Sequence, residues 1–146
     1  MSTNRQYCTF YLGDQYFGLD VLKVQEIVRH QPLTRVPLAH PMVRGLINLR
    51  GQIVTAIDLR RRLDLPECTE EHEPVNVVVQ TDEGAVSLIV DEIGDVLEVS
   101  EETFERPPET LQGSARDLIQ GAYKLADQLL VILDPELIVA VPAGRS

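Results

Sequence analysis

The sequence predicts an all-β fold made of two related units that share a core, on three observations. Short runs rich in aromatic and β-branched residues alternate with turn chemistry along most of the chain. The pattern begins again after residue 74, with the same apolar, Gly and Asp positions recurring at fixed offsets. No helical periodicity longer than about two turns appears anywhere.

The first hairpin is expected from Tyr7–Leu12 and Tyr16–Val21 around the turn Gly13, Asp14, Gln15. Asp20 is placed to cap a single helical turn before a strand over Val24–Val28. Pro32, Pro37 and Pro41 then punctuate an irregular crossing segment. A second hairpin follows, Leu46–Leu49 and Gln52–Ile57, whose tight turn Arg50-Gly51 needs the positive φ that Gly51 supplies. A short helix over 58–65 sets Leu59 and Leu63 on one face and leaves Arg60, Arg61 and Arg62 mostly toward water.

Residues 66–74 carry Glu67, Glu70, Glu71 and Glu73 with little apolar content and are expected as an exposed linker. Beyond it lie strands over 75–80, 85–90 and 95–99, and a short helix over 135–141. Gly45, Leu49, Gln52, Ile53, Val54 and Asp58 match Gly121, Leu125, Gln128, Leu129, Leu130 and Asp134 at one offset of 76 residues. Leu19, Val21, Val24, Ile27 and Val28 match Leu88, Val90, Ile93, Val96 and Leu97 at an offset of 69. Each unit is expected to close four or five strands on themselves, removing exposed edges. Units of roughly 65 residues are marginal alone and should pack over a shared apolar seam.

Composition narrows the chemistry. With 44% apolar and 25% charged residues the chain can bury a core, and no apolar run approaches the roughly 20 residues of a membrane span. The polar N-terminus carries no signal or lipidation pattern, so the expectation is a cytoplasmic protein without direct membrane insertion. A net charge of −10 and 5% aromatic content without Trp argue against nucleic acid. Charge is unevenly spread: residues 1–65 hold nine basic and five acidic side chains, and residues 66–146 four and eighteen. Such polarity either orients encounters with partners or serves solubility. Cys8 and Cys68, 60 residues apart, have neither a metal-ligand nor a disulfide-framework spacing, and His30, His40 and His72 form no ligand cluster. No phosphate loop and no nucleophile elbow is present. The rival to a binding protein is a small hydrolase with a carboxylate site near Asp91, Glu92 and Asp95; the acid-rich run 98–109 is expected as a solvated loop.

Several segments resemble the CheW family of chemotaxis coupling proteins. They are Gly18 to Ile27 (GLDVLKVQEI), Val43 to Gly51 (VRGLINLRG) with Ile57-Asp58-Leu59-Arg60, Val90 to Ile93 with Asp95-Val96-Leu97, and Leu129 to Asp134. The likeness runs from about Tyr7 to Ile138; Ser87 stands where many relatives carry Gly. It implies two intertwined SH3-like five-stranded β-barrels with short helices in one domain over 1–146. The first subdomain would span about 7–65 with a contribution from 136–146, and the second about 74–135. It implies a non-catalytic adaptor, without cofactor or metal, that is monomeric alone and is recruited into receptor arrays. Its partners would be the cytoplasmic tips of methyl-accepting chemoreceptors and the regulatory domain of a CheA-type histidine kinase, in swimming, pilus-driven or surface-sensing circuits. The receptor-facing positions fall on Val24, Glu26, Gly45, Arg50, Val75 and Val96. An apolar slot from the valines and a Glu26–Arg50 pair on its rim would suit an amphipathic receptor helix. The resemblance does not say which surface meets the kinase.

Overall fold

The computed structural model describes residues 4–13, 15–29, 32–35, 43–63, 75–82, 84–100, 103–105, 118–125 and 128–139. The expected linker at 66–74, residues 101–102 and 106–109 of the acidic run, Cys68, His30, His40, His72, Pro37 and Pro41 lie outside them; the described part of that run, expected as a solvated loop, instead ends one strand at Ser100 and forms another over Phe104–Glu105, where it pairs with Tyr123 and Ala122. The strands are β1 Asn4–Leu12, β2 Gln15–Asp20, β3 Val24–Arg29, β4 Val43–Leu49, β5 Gln52–Asp58, β6 Val75–Thr81, β7 Gly84–Val90, β8 Glu92–Ser100, β9 Phe104–Glu105, β10 Ile119–Lys124 and β11 Leu129–Leu133. A 3-10 turn, Val21–Lys23, links β2 to β3, and two short helices, α1 Leu59–Arg62 and α2 Pro135–Val139, follow β5 and β11.

One sheet has the order β8-β1-β2-β11-β10-β9 and the other β3-β6-β7-β5-β4. The sheets do not follow the chain halves. Each takes the opening hairpin of one half and the later strands of the other, through parallel pairs between β2 and β11 and between β5 and β7. The expectation that each half closes on its own strands is therefore corrected to an exchange. Segment 7–65 gives β1 and β2 to the first sheet and β3, β4 and β5 to the second.

The duplication holds in register. Phe17 faces Val131 in one parallel pair and Val86 faces Thr55 in the other, which are the same positions at the two sequence offsets. The β4–β5 ladder slips between Val43 and Gly45, and the β10–β11 ladder slips between Ile119 and Gly121. Both glycines answer one need: a Cβ on Gly45 would lie 2.5 Å from the Thr34 carbonyl oxygen, and one on Gly121 2.5 Å from that of Glu105. Thr34 and Glu105 each run beside the bulged strand, Thr34 as an isolated bridge to Leu46 and Glu105 opposite Ala122.

Tyr7, Tyr16, Tyr123, Leu130 and Ile132 form a cluster drawn from the first sheet alone, and Ile47, Leu49, Val54, Ala56 and Val78 one drawn from the second. A sheet that buries its own side chains against one another must curl around them, which is barrel geometry. The opposite faces meet in the largest cluster, where Phe10, Leu12, Phe17 and Leu19 pack with Ile57, Val75, Val77 and Leu88. Strands buried on both faces lose the polar alternation of half-exposed ones, which explains the almost unbroken apolar run Val75-Asn76-Val77-Val78-Val79. Its one polar member, Asn76, accepts a hydrogen bond of 2.9 Å from the Ser87 hydroxyl inside the second barrel.

Candidate functional site

The hairpin β4–β5 turns through Arg50 and Gly51, both at positive φ (50° and 87°), the backbone of a tight two-residue turn. The Asn48 side chain accepts from the Gly51 amide at 2.9 Å and holds the turn. From it Arg50 reaches β3 and donates to the Glu26 carboxylate. The guanidinium holds the Glu26 carboxyl below the usual carboxylate range, and Glu26 in turn raises Arg50. Beside this pair Gln80 donates to Gln25. The pair spans strands at opposite ends of the sheet order and so joins the two edges of the second barrel.

The six expected binding residues are placed unequally. Glu26 and Arg50 touch; Val24 precedes Glu26 on β3, half-buried against the shared core. Gly45 is buried on β4, where it lets Thr34 approach. Val75 is 3% exposed and belongs to the shared core, so it supports the surface from beneath. Val96, 55% exposed, lies on β8 of the other sheet, opposite Cys8. Sequence reasoning passed over Leu22, Ile27 and Ile53, all exposed. Ile27 occupies in the first half the position of Val96 in the second, a signal that lay in the offset of 69.

Arg60, Arg61 and Arg62, expected mostly toward water, are engaged. Arg60 donates to Asp91 through Nε at 3.0 Å and through Nη2, with side chains only 15% and 12% exposed. Arg61 lies 3.7 Å from Asp58, the α1 cap, and Arg62 donates to the Ile138 and Leu137 carbonyl oxygens at 2.7 and 3.0 Å. Asp91 also accepts from the Gly13 amide at 2.7 Å. Asp91, the first acid of the hydrolase alternative, is thus tied by a guanidinium and a backbone amide.

Among the described residues no group of three His, Cys, Asp or Glu side chains is placed to hold a metal ion. No helix there is long and apolar enough to cross a membrane. A recess of about 430 Å³ in the first barrel is lined by Arg5, Tyr7, Phe104, Gln120 and Tyr123. The Tyr7 and Tyr123 hydroxyls lie 3.2 Å apart there, and burial, then that hydrogen bond, push Tyr7 well above the ordinary phenol value.

The family model described as a CheW-like domain matches residues 6–142. Chemotaxis protein CheW of Bacillus subtilis is 32% identical over 146 residues, all of this chain and 94% of that protein. Its namesake from Treponema pallidum is 32% identical over 133 residues, 88% of this chain and 78% of that one. Among solved structures, the scaffolding protein TtCheW from Thermoanaerobacter tengcongensis superposes with a TM-score of 0.88 at 25% identity, covering 99% of this chain and 98% of its own.

Proposed function

The chain belongs to the CheW-like family and is a chemotaxis adaptor, and on that premise we propose that it couples the cytoplasmic tips of methyl-accepting receptors to a CheA-type histidine kinase. It does so in the cytoplasm, at receptor arrays, by binding both and catalysing nothing. The observation that carries the receptor side is the Glu26–Arg50 pair held at the surface of the second barrel. Exposed Ile27, the next residue on β3, projects from the opposite face of the strand to Glu26, and exposed Ile53 follows the Arg50 turn on β5. An amphipathic helix needs this combination, apolar contacts for its buried face and a fixed charged pair that sets its rotation. On this reading Val24 of the second barrel and Val96 of the first add apolar contacts from the two sides, and buried Gly45 and Val75 act through the packing beneath.

Reconstitution tests the reading. Purified protein, a CheA-type kinase and receptor cytoplasmic fragments are mixed, and autophosphorylation is expected to become receptor-dependent only when the protein is present. Arg50→Ala should weaken capture of the receptor fragment while the amide spectrum stays dispersed. Receptor-dependent phosphorylation without the protein, or unchanged capture by the variant, would overturn it.

A further inference from the structure

We infer that the Arg60–Asp91 bridge is a positioning device that sets the angle between the two barrels and thereby the alignment of the receptor-facing residues. The inference rests on the receptor-binding reading above. Asp91 is the single residue between β7 of the second sheet and β8 of the first, so it sits where the chain crosses from one barrel to the other. Hydrogen bonds from both bodies meet on it. Its amide donates to the Tyr11 carbonyl oxygen at the end of β1 (3.2 Å), its carboxylate accepts from Gly13 in the β1–β2 turn (2.7 Å), and Arg60 reaches both carboxylate oxygens from α1. Tyr11 and Gly13 belong to the first barrel, whereas α1 continues directly from β5 of the second.

The pair thus ties both bodies to one residue. The apolar cluster between them is less directional than a hydrogen-bonded contact, because the hydrophobic driving force scales with area and not with angle. A bidentate guanidinium-carboxylate contact fixes a plane and two distances, and at these exposures solvent screens it little.

The duplicated chain supplies an internal control. Leu22 stands at the corresponding crossover, in the turn between β2 and β3, and is 88% exposed. The local Asp20 side chain caps that turn, accepting from Leu22 N at 2.9 Å. The hairpin-turn amide equivalent to Gly13 N is Asp82 N of the second half, and it is held by Glu136, the residue of α2 that corresponds to Arg60. Both hairpin turns are therefore carboxylate-anchored, but the acid sits on the helix in one case and on the crossover in the other. Placing it on the crossover, with an arginine to neutralise it, locks the passage into β8, which carries Val96 five residues later.

The test separates orientation from mere stability. Residual dipolar couplings of backbone amides are recorded for the native chain, Asp91→Asn and Arg60→Ala, well below the melting transition. In the native protein the two sheets should fit one alignment tensor with a fixed relative orientation. In the variants each sheet should keep its internal couplings while the relative orientation rotates or averages. Receptor-fragment affinity, measured on the folded protein, should fall at least tenfold, and the double variant should be no worse than either single one. Should Arg60→Ala be insoluble, Arg60→Lys, which keeps the charge but not the fork, is read for the same rotation at smaller amplitude. Unchanged orientation in the folded variants, or a rotation with unaltered receptor affinity, would overturn the inference. If the native chain does not bind receptor fragments, the receptor reading fails while the couplings still decide whether the bridge sets the angle.

Discussion

Replacing Gly45 with alanine puts a methyl carbon 2.5 Å from the Thr34 carbonyl oxygen, roughly 1 Å inside ordinary contact. Backbone, not a flexible side-chain tip, is the obstacle, so the crossing segment must move off β4. Two hydrogen bonds hold it there, Leu46 N to Thr34 O at 2.8 Å and Thr34 N to Leu46 O at 2.9 Å. At about 1 kcal/mol net for each bond, losing both costs about 2 kcal/mol. At this chain length that lowers the melting temperature by roughly 4–8 °C. Gly121→Ala makes the same collision with Glu105 and should behave alike. Gly51→Ala is the control. A Cβ there meets nothing within 4 Å, so its cost is only that of a left-handed backbone, about 1 kcal/mol. Thermal unfolding followed by circular dichroism reads all three. A Gly45→Ala melting point within 1 °C of the native protein, or below it by no more than that of Gly51→Ala, would show that close approach of the crossing segment is not what selects glycine.

Gly51→Val should go further than alanine, about 2 kcal/mol, because a β-branched side chain adds its own clash at positive φ; an unaltered urea midpoint would rule out the turn geometry. Tyr7 keeps its proton in the fold longer than in the unfolded chain. Its stabilising contribution is therefore complete below the unfolded phenol value of about 10 and is lost as pH rises beyond it. In urea titrations from pH 8 to 11, Tyr7→Phe should show a shallower alkaline loss of stability than the native chain, and equal slopes would refute the assignment. Burial raises the Cys8 thiol above its ordinary value. In a Cys68→Ser background Cys8 should react with a disulfide reagent only as fast as the protein unfolds, and rapid native labelling would contradict its place in the sheet.

The local parts of the fold were legible because their determinants are local. Gly13 and Gly51 mark turns whose backbone only glycine adopts easily, and Asp20 caps the single helical turn it precedes, accepting from Leu22 N; Asp58 and Asp134, read only as repeat positions, cap their helices in the same way. The repeat was legible because equivalent bulges need equivalent glycines. The exchange of hairpins was carried only by the family resemblance, which implies intertwined barrels, and not by the residues themselves, since β2 and β11 pair across more than a hundred residues and no turn residue announces a parallel ladder. Arg60 was misread for a similar reason: helical periodicity assigns a face, but nothing in the spacing brings Asp91, 31 residues on, to meet it. Val75 was expected to line a slot because a valine on a strand reads the same inside a core and on a groove wall, and only the second sheet face decides between them.

The exchange makes each half of the chain incomplete, and that has a measurable consequence. Without the second half, β1 and β2 have no β8 or β11 beside them, and β3 and β5 lose β6 and β7, so most ladder hydrogen bonds of residues 4–58 have no partner. Each unpaired buried polar group costs more than its bond returns, and a segment this short has little apolar surface with which to offset that. A fragment ending at residue 69 and one beginning at residue 70 should each lack a folded monomeric state. Mixed in equal amounts they should recover the native amide spectrum, at a rate limited by long-range strand pairing. A dispersed spectrum from monomeric first fragment alone would mean that half closes on itself after all, and would break the link between the exchanged topology and the shared site.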